Sequence, residues 1–408
     1  MISRLTLLLP LAWRNLWRNS RRSLLVVLAV AVGTMSIIDF TALMQAWARS
    51  TISASLRTLT GEAQIHAPGY LADPGVEYRM PPPHGNLLRA LAGSRVKVWA
   101  PRIRVPGVAR SEHASRPITL VGIEPAHEPG LSFIADPMYR GRTLNGPDDD
   151  GVIIGRKLVE RLKTGLGKRI VLMSEAADGH LAERGFRIVG VYAETERTED
   201  QYVFVGLHTA QTMLGVGDSI SEIALDVRNQ KQLEPVVKTL RQAAPELDVQ
   251  SWHTLLPLVE ALSEFIQSFD GIWISIMSVL VIFGVANTLL MSVYERTREF
   301  GLLQALGLRP HLVIVQVMLE SMLLMTLGTV VGVAGGIATI VVFHNGLSMG
   351  FLARGAEWLG AGRVLYPQLV WPDLLQAALV VWVLGVLVSL WPAWRAVRHS
   401  PLAALEQA

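Results

Sequence analysis

The chain has 408 residues, of which 50% are hydrophobic and only 17% charged, and its mean hydropathy is +0.36. That is too apolar for an ordinary soluble protein of this length and directs the reading to a membrane protein. The net charge of +3 and pI of 9.2 reflect arginines beside apolar runs as much as any basic patch, so nucleic-acid binding has no support, and the lack of cysteine decides little about compartment.

Residues 1–23 carry Arg4, Arg14, Arg18, Arg21 and Arg22 without an acid. The run 24–38 has no formal charge and reaches full spanning length only by continuing past Asp39 towards Met44, which predicts a first transmembrane helix with a stalk extension over 24–48. Its length, and the lack of a small-x-small site after it, favour an uncleaved anchor over a secretory signal.

Residues 49–265 form the hydrophilic bulk. "AQIHA" (63–67), "VKVWA" (96–100) and "PITLVGI" (117–123) read as strands punctuated by Gly/Pro clusters, and "ISEIALDV", "QKQLEPVVKTLRQAA" and "LDVQSW" as a strand–helix–strand unit. Between them "GVIIGRKLVERL", "KRIVLM", "GFRIVGVY" and "YVFVGL" give further strands and one helix. The expectation is an α+β domain in which segments 60–130 and 220–255 form one subdomain and 131–219 an insertion.

"LLPLVEALSEFIQSFDGIWISI" runs with helical spacing into a second span at 266–293, so both bordering helices read as stalks. A charged segment follows at 294–311, a third span at 312–343, a loop at 344–372, a fourth span at 373–394 and a tail at 395–408. Arginines cluster before the first span, in the charged segment (Arg296, Arg298, Arg309) and in the tail (Arg395, Arg398). The positive-inside rule places both termini and that segment in the cytoplasm and the large domain outside.

The charged segment is longer than a turn requires. "ERTREFGLLQALG" is helix-forming, offers Phe300, Leu303 and Leu306 as apolar contacts, and stops at Gly307 with Pro310 beyond, which suits docking into a groove of a cytoplasmic partner. In the third span Gly328, Gly332 and Gly336 share one face and predict close packing against another helix. Glu320 and Asp39 lie near the ends of spans, where capping or solvation suffices, and no acid sits at mid-span as a proton-driven carrier would require.

Enzymatic and metal motifs are poor. "GLSMG" (346–350) follows an apolar helix rather than a strand, "DDD" (148–150) reads as a solvated turn, and the histidines lack ligand spacing, so no catalytic or metal-binding residue is assigned. "GVIIGRKL" is the nearest approach to a nucleotide-binding loop and lacks its residue order, so any ATP-driven step needs a separate polypeptide.

"YERTREFGLLQALGLRP" resembles the signature of the MacB and FtsX superfamily of ABC transporter permeases. "LAWRNLWRNSRRSLLVVLAVAVG" (11–33) resembles its basic N-terminal helix, and "LWPAWRAVRHSPLAAL" (390–405) its C-terminal ending. The resemblance implies a membrane α-helical fold of four transmembrane helices, with a large α+β periplasmic domain between the first and second. Residues 1–23 would be a cytoplasmic amphipathic helix. It also implies a non-catalytic subunit of the bacterial inner membrane that pairs with a second permease copy and a separate ABC ATPase dimer. ATP and Mg²⁺ would be bound only by that partner.

The segment carrying Glu295, Arg296, Arg298, Glu299, Phe300, Gly301, Leu303, Leu306 and Gly307 would then be the coupling helix that sits on the ATPase. In layout the chain is similar to the lipoprotein-releasing branch, which implies lipoprotein or lipid-like cargo. Phe40, Met44, Trp273 and Met277 would be its lining. MacB-like efflux with a periplasmic adaptor, FtsX-like signalling and a sensor without transport remain alternatives.

Overall fold

The computed structural model describes residues 10, 12–18, 20–305, 309–348, 350 and 364–398. The chain divides into two compact units, one of residues 1–50 with 262–408 and the other of residues 51–261.

In chain order, residues 12–18 are helical and α1 runs Ser20–Ser55, ending in a short π-helical turn, Leu56–Thr60. The α/β unit follows with β1 (Ala63–His66), α2 (Gly85–Leu91), β2 (Val96–Arg110), β3 (Ser115–Ile123), β4 (Arg140–Gly141), β5 (Gly151–Gly155) and α3 (Arg156–Arg161). It continues with β6 (Arg169–Glu175), β7 (Leu181–Tyr192), α4 (Glu196–Gln201), β8 (Tyr202–Gly206) and α5 (Leu207–Leu214). β9 (Glu222–Val227), α6 (Leu233–Ala243), β10 (Asp248–Ser251) and α7 (Trp252–Leu255) close it. The remaining elements are α8 (Pro257–Glu295), α9 (Thr297–Ala305), α10 (Pro310–Phe343), the short pair β11 (Leu347–Ser348) and β12 (Val364–Leu365), and α11 (Trp371–Arg398).

The strands of the expected subdomain and of its expected insertion share one sheet, ordered β10-β1-β9-β2-β3-β8-β5-β7-β4, with β6 against β2 and β7. The physical reason is the length of β2. Its first half, to Arg102, pairs with β9, and its second half, from Arg102 to Arg110, pairs with β3 and reaches β6. The inner strands are buried on both faces, as runs such as "GVIIG" and "YVFVG" require. Val152, Ile154, Val203 and Val205 enter the main core, while the alternate residues Ile153, Tyr202 and Phe204 join Leu59, Phe133 and Tyr192 in a second cluster. There Phe204 meets Phe133 and Tyr192 edge-on at 5.7 and 5.6 Å.

Helix α6 buries Leu233, Val236, Val237 and Leu240, the spacing of a single apolar stripe, and its last-turn Arg241 donates to the Val249 carbonyl of β10 at 2.9 and 3.0 Å. Gly215 takes the left-handed conformation that ends α5.

In the other unit, α1, α8, α10 and α11 supply four segments long and apolar enough to cross a membrane. At 36 and 39 residues, α1 and α8 extend roughly 54 and 58 Å against a hydrocarbon core of about 30 Å. Many large apolar side chains on these helices, among them Leu24, Leu28, Phe283, Val330 and Leu379, are exposed, as lipid-facing residues must be. Their inward faces share a core that includes Val30, Ile37, Val285, Met325 and Val381.

Candidate functional site

Helix α8 ends at Glu295, Arg296 forms a turn, and α9 starts at Thr297, whose hydroxyl bonds back to the Tyr294 carbonyl at 2.8 Å. The charged segment is therefore a separate nine-residue helix and not a continuation of the span.

Its charges fall into two sets. Glu299 accepts two hydrogen bonds from Arg18 Nη2, at 2.7 and 2.8 Å, and a third from Arg296 Nε at 3.1 Å. Glu295 pairs with Arg22. Arg296 Nη1 donates to both oxygens of Glu320 at 3.1 and 2.9 Å, and Asn15 donates to Glu320 at 2.7 Å. The Arg18 guanidinium holds the Glu299 carboxyl below the usual carboxylate range, with Arg296 adding to the effect. The start of α9 is thus clamped to the N-terminal segment and to α10. Arg298 is different: it is exposed and forms no ion pair among the described residues.

Gly301 is buried, and Phe300 and Leu303 lie on α9. Leu306 and Gly307 lie outside the described residues. Sequence reasoning missed Arg18 and Arg22 as partners of this segment and Asn15 as a partner of Glu320, and took Glu320 for a capped or solvated acid. Glu320 is instead neutralised by Arg296, and the two side chains are only 13% and 11% exposed. The N-terminal segment is two-faced, with Ala12 and Leu16 buried and Trp13 and Trp17 exposed in an edge contact at 5.9 Å.

The third-span glycines face α1. A Cβ on Gly332 would lie 2.6 Å from the Ala31 carbonyl oxygen and 2.7 Å from Thr34 Cβ. One on Gly328 would meet Val30 at 2.6 Å, and one on Gly336 would meet Ile38 at 2.8 Å. Only hydrogen fits at these three positions, which lets the two backbones approach as small-residue spacing permits.

Of the expected lining residues, Phe40 and Trp273 stack on each other at 4.4 Å, with Phe269 alongside at 6.1 Å from Phe40. Met277 packs on the interhelical core and Met44 is half-buried. Nearby, Thr41 donates to Asp270 at 2.7 Å and Gln45 to Asp373 at 2.5 Å, polar contacts between spans that hydropathy alone did not single out.

The α/β unit holds a buried ionic cluster that strand patterning also missed. Arg102 is fully buried on β2 and grips Glu128 through Nε at 2.8 Å and Nη2 at 2.7 Å, while its Nη1 donates to the Leu59 carbonyl. Leu59 has a φ of +73°, a left-handed conformation unusual for a branched side chain. The guanidinium therefore fixes the turn that follows α1. Glu222 lies 3.5 Å from Arg102 and 3.6 Å from Arg104.

Comparison with known proteins agrees with this architecture. The MacB-like periplasmic core domain family matches residues 23–243, and the FtsX-like permease C-terminal family matches residues 271–401. The chain is 24% identical to the macrolide export ATP-binding/permease protein MacB 1 of Yersinia pestis bv. Antiqua over 99% of its own length and 61% of that protein's. It thus spans about three-fifths of that relative. It is 22% identical to the lipoprotein-releasing system transmembrane protein LolC of Xylella fastidiosa, across 94% of this chain and 93% of LolC. The periplasmic region of MacB from Actinobacillus actinomycetemcomitans superposes on 50% of the chain and 95% of its own length, with 14% identity and a TM-score of 0.36. With one family covering more than half of its residues and a second covering the other spans, the chain belongs to the MacB/FtsX superfamily of ABC transporter permeases.

Proposed function

We propose that this chain is the permease subunit of an ATP-driven transporter of the mechanotransmission type, working with a second permease copy and a separate ABC ATPase dimer that binds ATP and Mg²⁺. The carrying observation is the division of charge on the segment between two spans. Glu295, Arg296 and Glu299 are tied to the rest of the helical unit, whereas Arg298 is exposed and unpaired among the described residues. A helix fixed at its start and presenting an unengaged cation is suited to receive a push from a partner. The chain passes between its two units within α1 and within α8, so motion of the spans has a helical route to the α/β unit.

For cargo we favour lipoprotein or lipid-like molecules taken from the outer leaflet of the bacterial inner membrane, with both termini cytoplasmic and the α/β domain periplasmic. The near end-to-end match with LolC supports this reading. Exposing each buried methylene of an acyl chain costs about 0.8 kcal/mol, so extraction needs an energy source of the ATP scale. The match to MacB across 99% of this chain supports efflux with a periplasmic adaptor as the second reading.

Affinity purification from detergent tests the first claim. A nucleotide-binding ATPase should co-purify with the wild type and be lost with Arg298→Glu. Because the chain has no cysteine, Arg298→Cys gives a single label site, and labelling from the periplasm would overturn the arrangement. Crosslinking of a radiolabelled lipoprotein favours release, and recovery of an adaptor favours efflux.

A further inference from the structure

His66 is fully buried on β1, between β10 and β9, and its register partners are Asp248 on β10 and Glu222 on β9. Directly opposite residues of antiparallel strands point to the same face, so the ring lies between two carboxylates. Gln64, two residues back on that face, donates from Nε2 to the Leu59 carbonyl at 3.3 Å. Its Oε1 is then the atom turned to the ring, 3.0 Å from His66 Nε2, which must therefore carry the proton. The lone pair is left on Nδ1, which is enclosed and has no hydrogen-bond partner among the described residues. Tyr70 closes over the ring, stacked at 5.0 Å, with its hydroxyl donating to the Arg104 carbonyl at 2.6 Å.

The relay ends at a structural joint. Leu59 sits in the left-handed turn that follows α1, and its carbonyl accepts from two donors, Gln64 and the Arg102 guanidinium. Arg102 is permanently charged, whereas the Gln64 contact depends on a ring that titrates. Burial holds His66 below the usual histidine range, while Glu222 and Asp248 pull it up and Arg104 pushes it down. A ring that has left Gln64 for water titrates at about 6.5. Above that pH the closed arrangement keeps its full stability, and below it the hydrated one gains. We propose that His66 is an acid-sensitive latch on this turn: neutral, it steadies Gln64 against the Leu59 carbonyl, and proton uptake at Nδ1 draws the ring into water and frees the turn. Transmission through the turn would then weaken in acid surroundings, a consequence that rests on the proposed function, whereas the latch itself does not.

Hydrogen exchange of the full chain in detergent, read by mass spectrometry over residues 56–66 and corrected for the intrinsic pH dependence of exchange, tests the latch without ATPase or cargo. Between about pH 7.5 and pH 5 opening of this segment should increase at least about fivefold, within the roughly thirtyfold that one histidine of ordinary value about 6.5 allows. Glu62 and Asp226 cannot produce that rise, because burial shifts both upward and their protonation favours the folded form. His66→Gln should abolish the rise, and His180→Gln, at an exposed histidine, should retain it. Gln64→Met cuts the relay but leaves the ring, and should speed exchange of residues 56–61 at neutral pH while removing their response to acid. Opening of the wild type that is no greater in acid would overturn the latch whether or not the variants fold, as would a rise that persists in His66→Gln. Failure of an ATPase to co-purify, with the pH response present, would instead count against the proposed function alone.

Discussion

Arg296 reaches both carboxylate oxygens of Glu320 through a single nitrogen, at 2.9 and 3.1 Å, and so joins the turn after the second span to the head of the third. Neither residue is more than 13% exposed, so the pair compensates buried charge, with Glu299 as a second acceptor for Arg296 and Asn15 as a second donor to Glu320. Removing one partner should destabilise the helical unit by about 2–4 kcal/mol, as Arg296→Met or Glu320→Gln. The paired replacement by two methionines should recover most of that loss, because it strands no charge. Thermal melting in detergent distinguishes the cases, and single variants that melt with the wild type would refute the pairing.

Arg298 should behave in the opposite way. Its exposed guanidinium holds nothing within the described chain, so Arg298→Glu is expected to leave the melting temperature unchanged while reducing ATPase association and ATP-dependent activity at least about tenfold. An ATPase that binds this variant as well as the wild type would remove Arg298 from the contact.

The approach of α10 to α1 predicts a size limit at Gly332. Its absent side chain faces the Ala31 carbonyl at 2.6 Å, so Gly332→Val should force the helices apart at a cost of about 1–3 kcal/mol. Gly284, which has open space around it, is the control, and Gly284→Ala should be tolerated. Equal melting of the two variants would contradict the packing.

In the α/β unit, Arg102→Met strands Glu128 in the core and leaves Glu222 with Arg104 as its one remaining cation, and should cost about 3–5 kcal/mol. It should also loosen the turn around Leu59, since its carbonyl loses the Arg102 donor. Hydrogen exchange of residues 56–61 reads the second effect separately from global unfolding, and protection there equal to the wild type would show that Arg102 does not hold the turn.

Asp226 gives a pH signature. Burial raises its carboxyl to about 6, with the charge of Glu62 adding to the shift. The folded state then holds a proton that the unfolded state releases from about pH 4 upward, so stability falls as pH rises from about 4 to 6 and stays lower above that. Asp226→Asn keeps an oxygen acceptor for the Glu62 amide and should flatten this slope, with a gain of about 1–2 kcal/mol at pH 8. Parallel melting curves for the two proteins between pH 4 and 8 would count against the shift.

Local order was readable in the chain. The apolar stripe of α6, the strands "GVIIG" and "YVFVG" and the separate charged helix follow from periodicity and punctuation, because those signals act within a few residues. Partnerships between distant residues were not. Arg102 and Arg104 look alike on β2, yet one is fully buried against Glu128 and the other partly exposed, and nothing in the alternation marks the difference. Nor does hydropathy distinguish a topology-setting arginine from one that clamps a helix, as Arg18 and Arg22 do.

The clamp also has a history during synthesis. Arg18 and Glu299 are 281 residues apart, and Arg22 and Glu295 are 273 apart. At about 5–20 residues per second, the arginines are made roughly 14–56 s before the acids that neutralise them. Throughout that interval they are bare positive charge beside the first apolar run, able to orient it in the bilayer. On the proposed topology the same side chains would act first in orienting the first span and only afterwards as fasteners, once the second span has delivered its carboxylates.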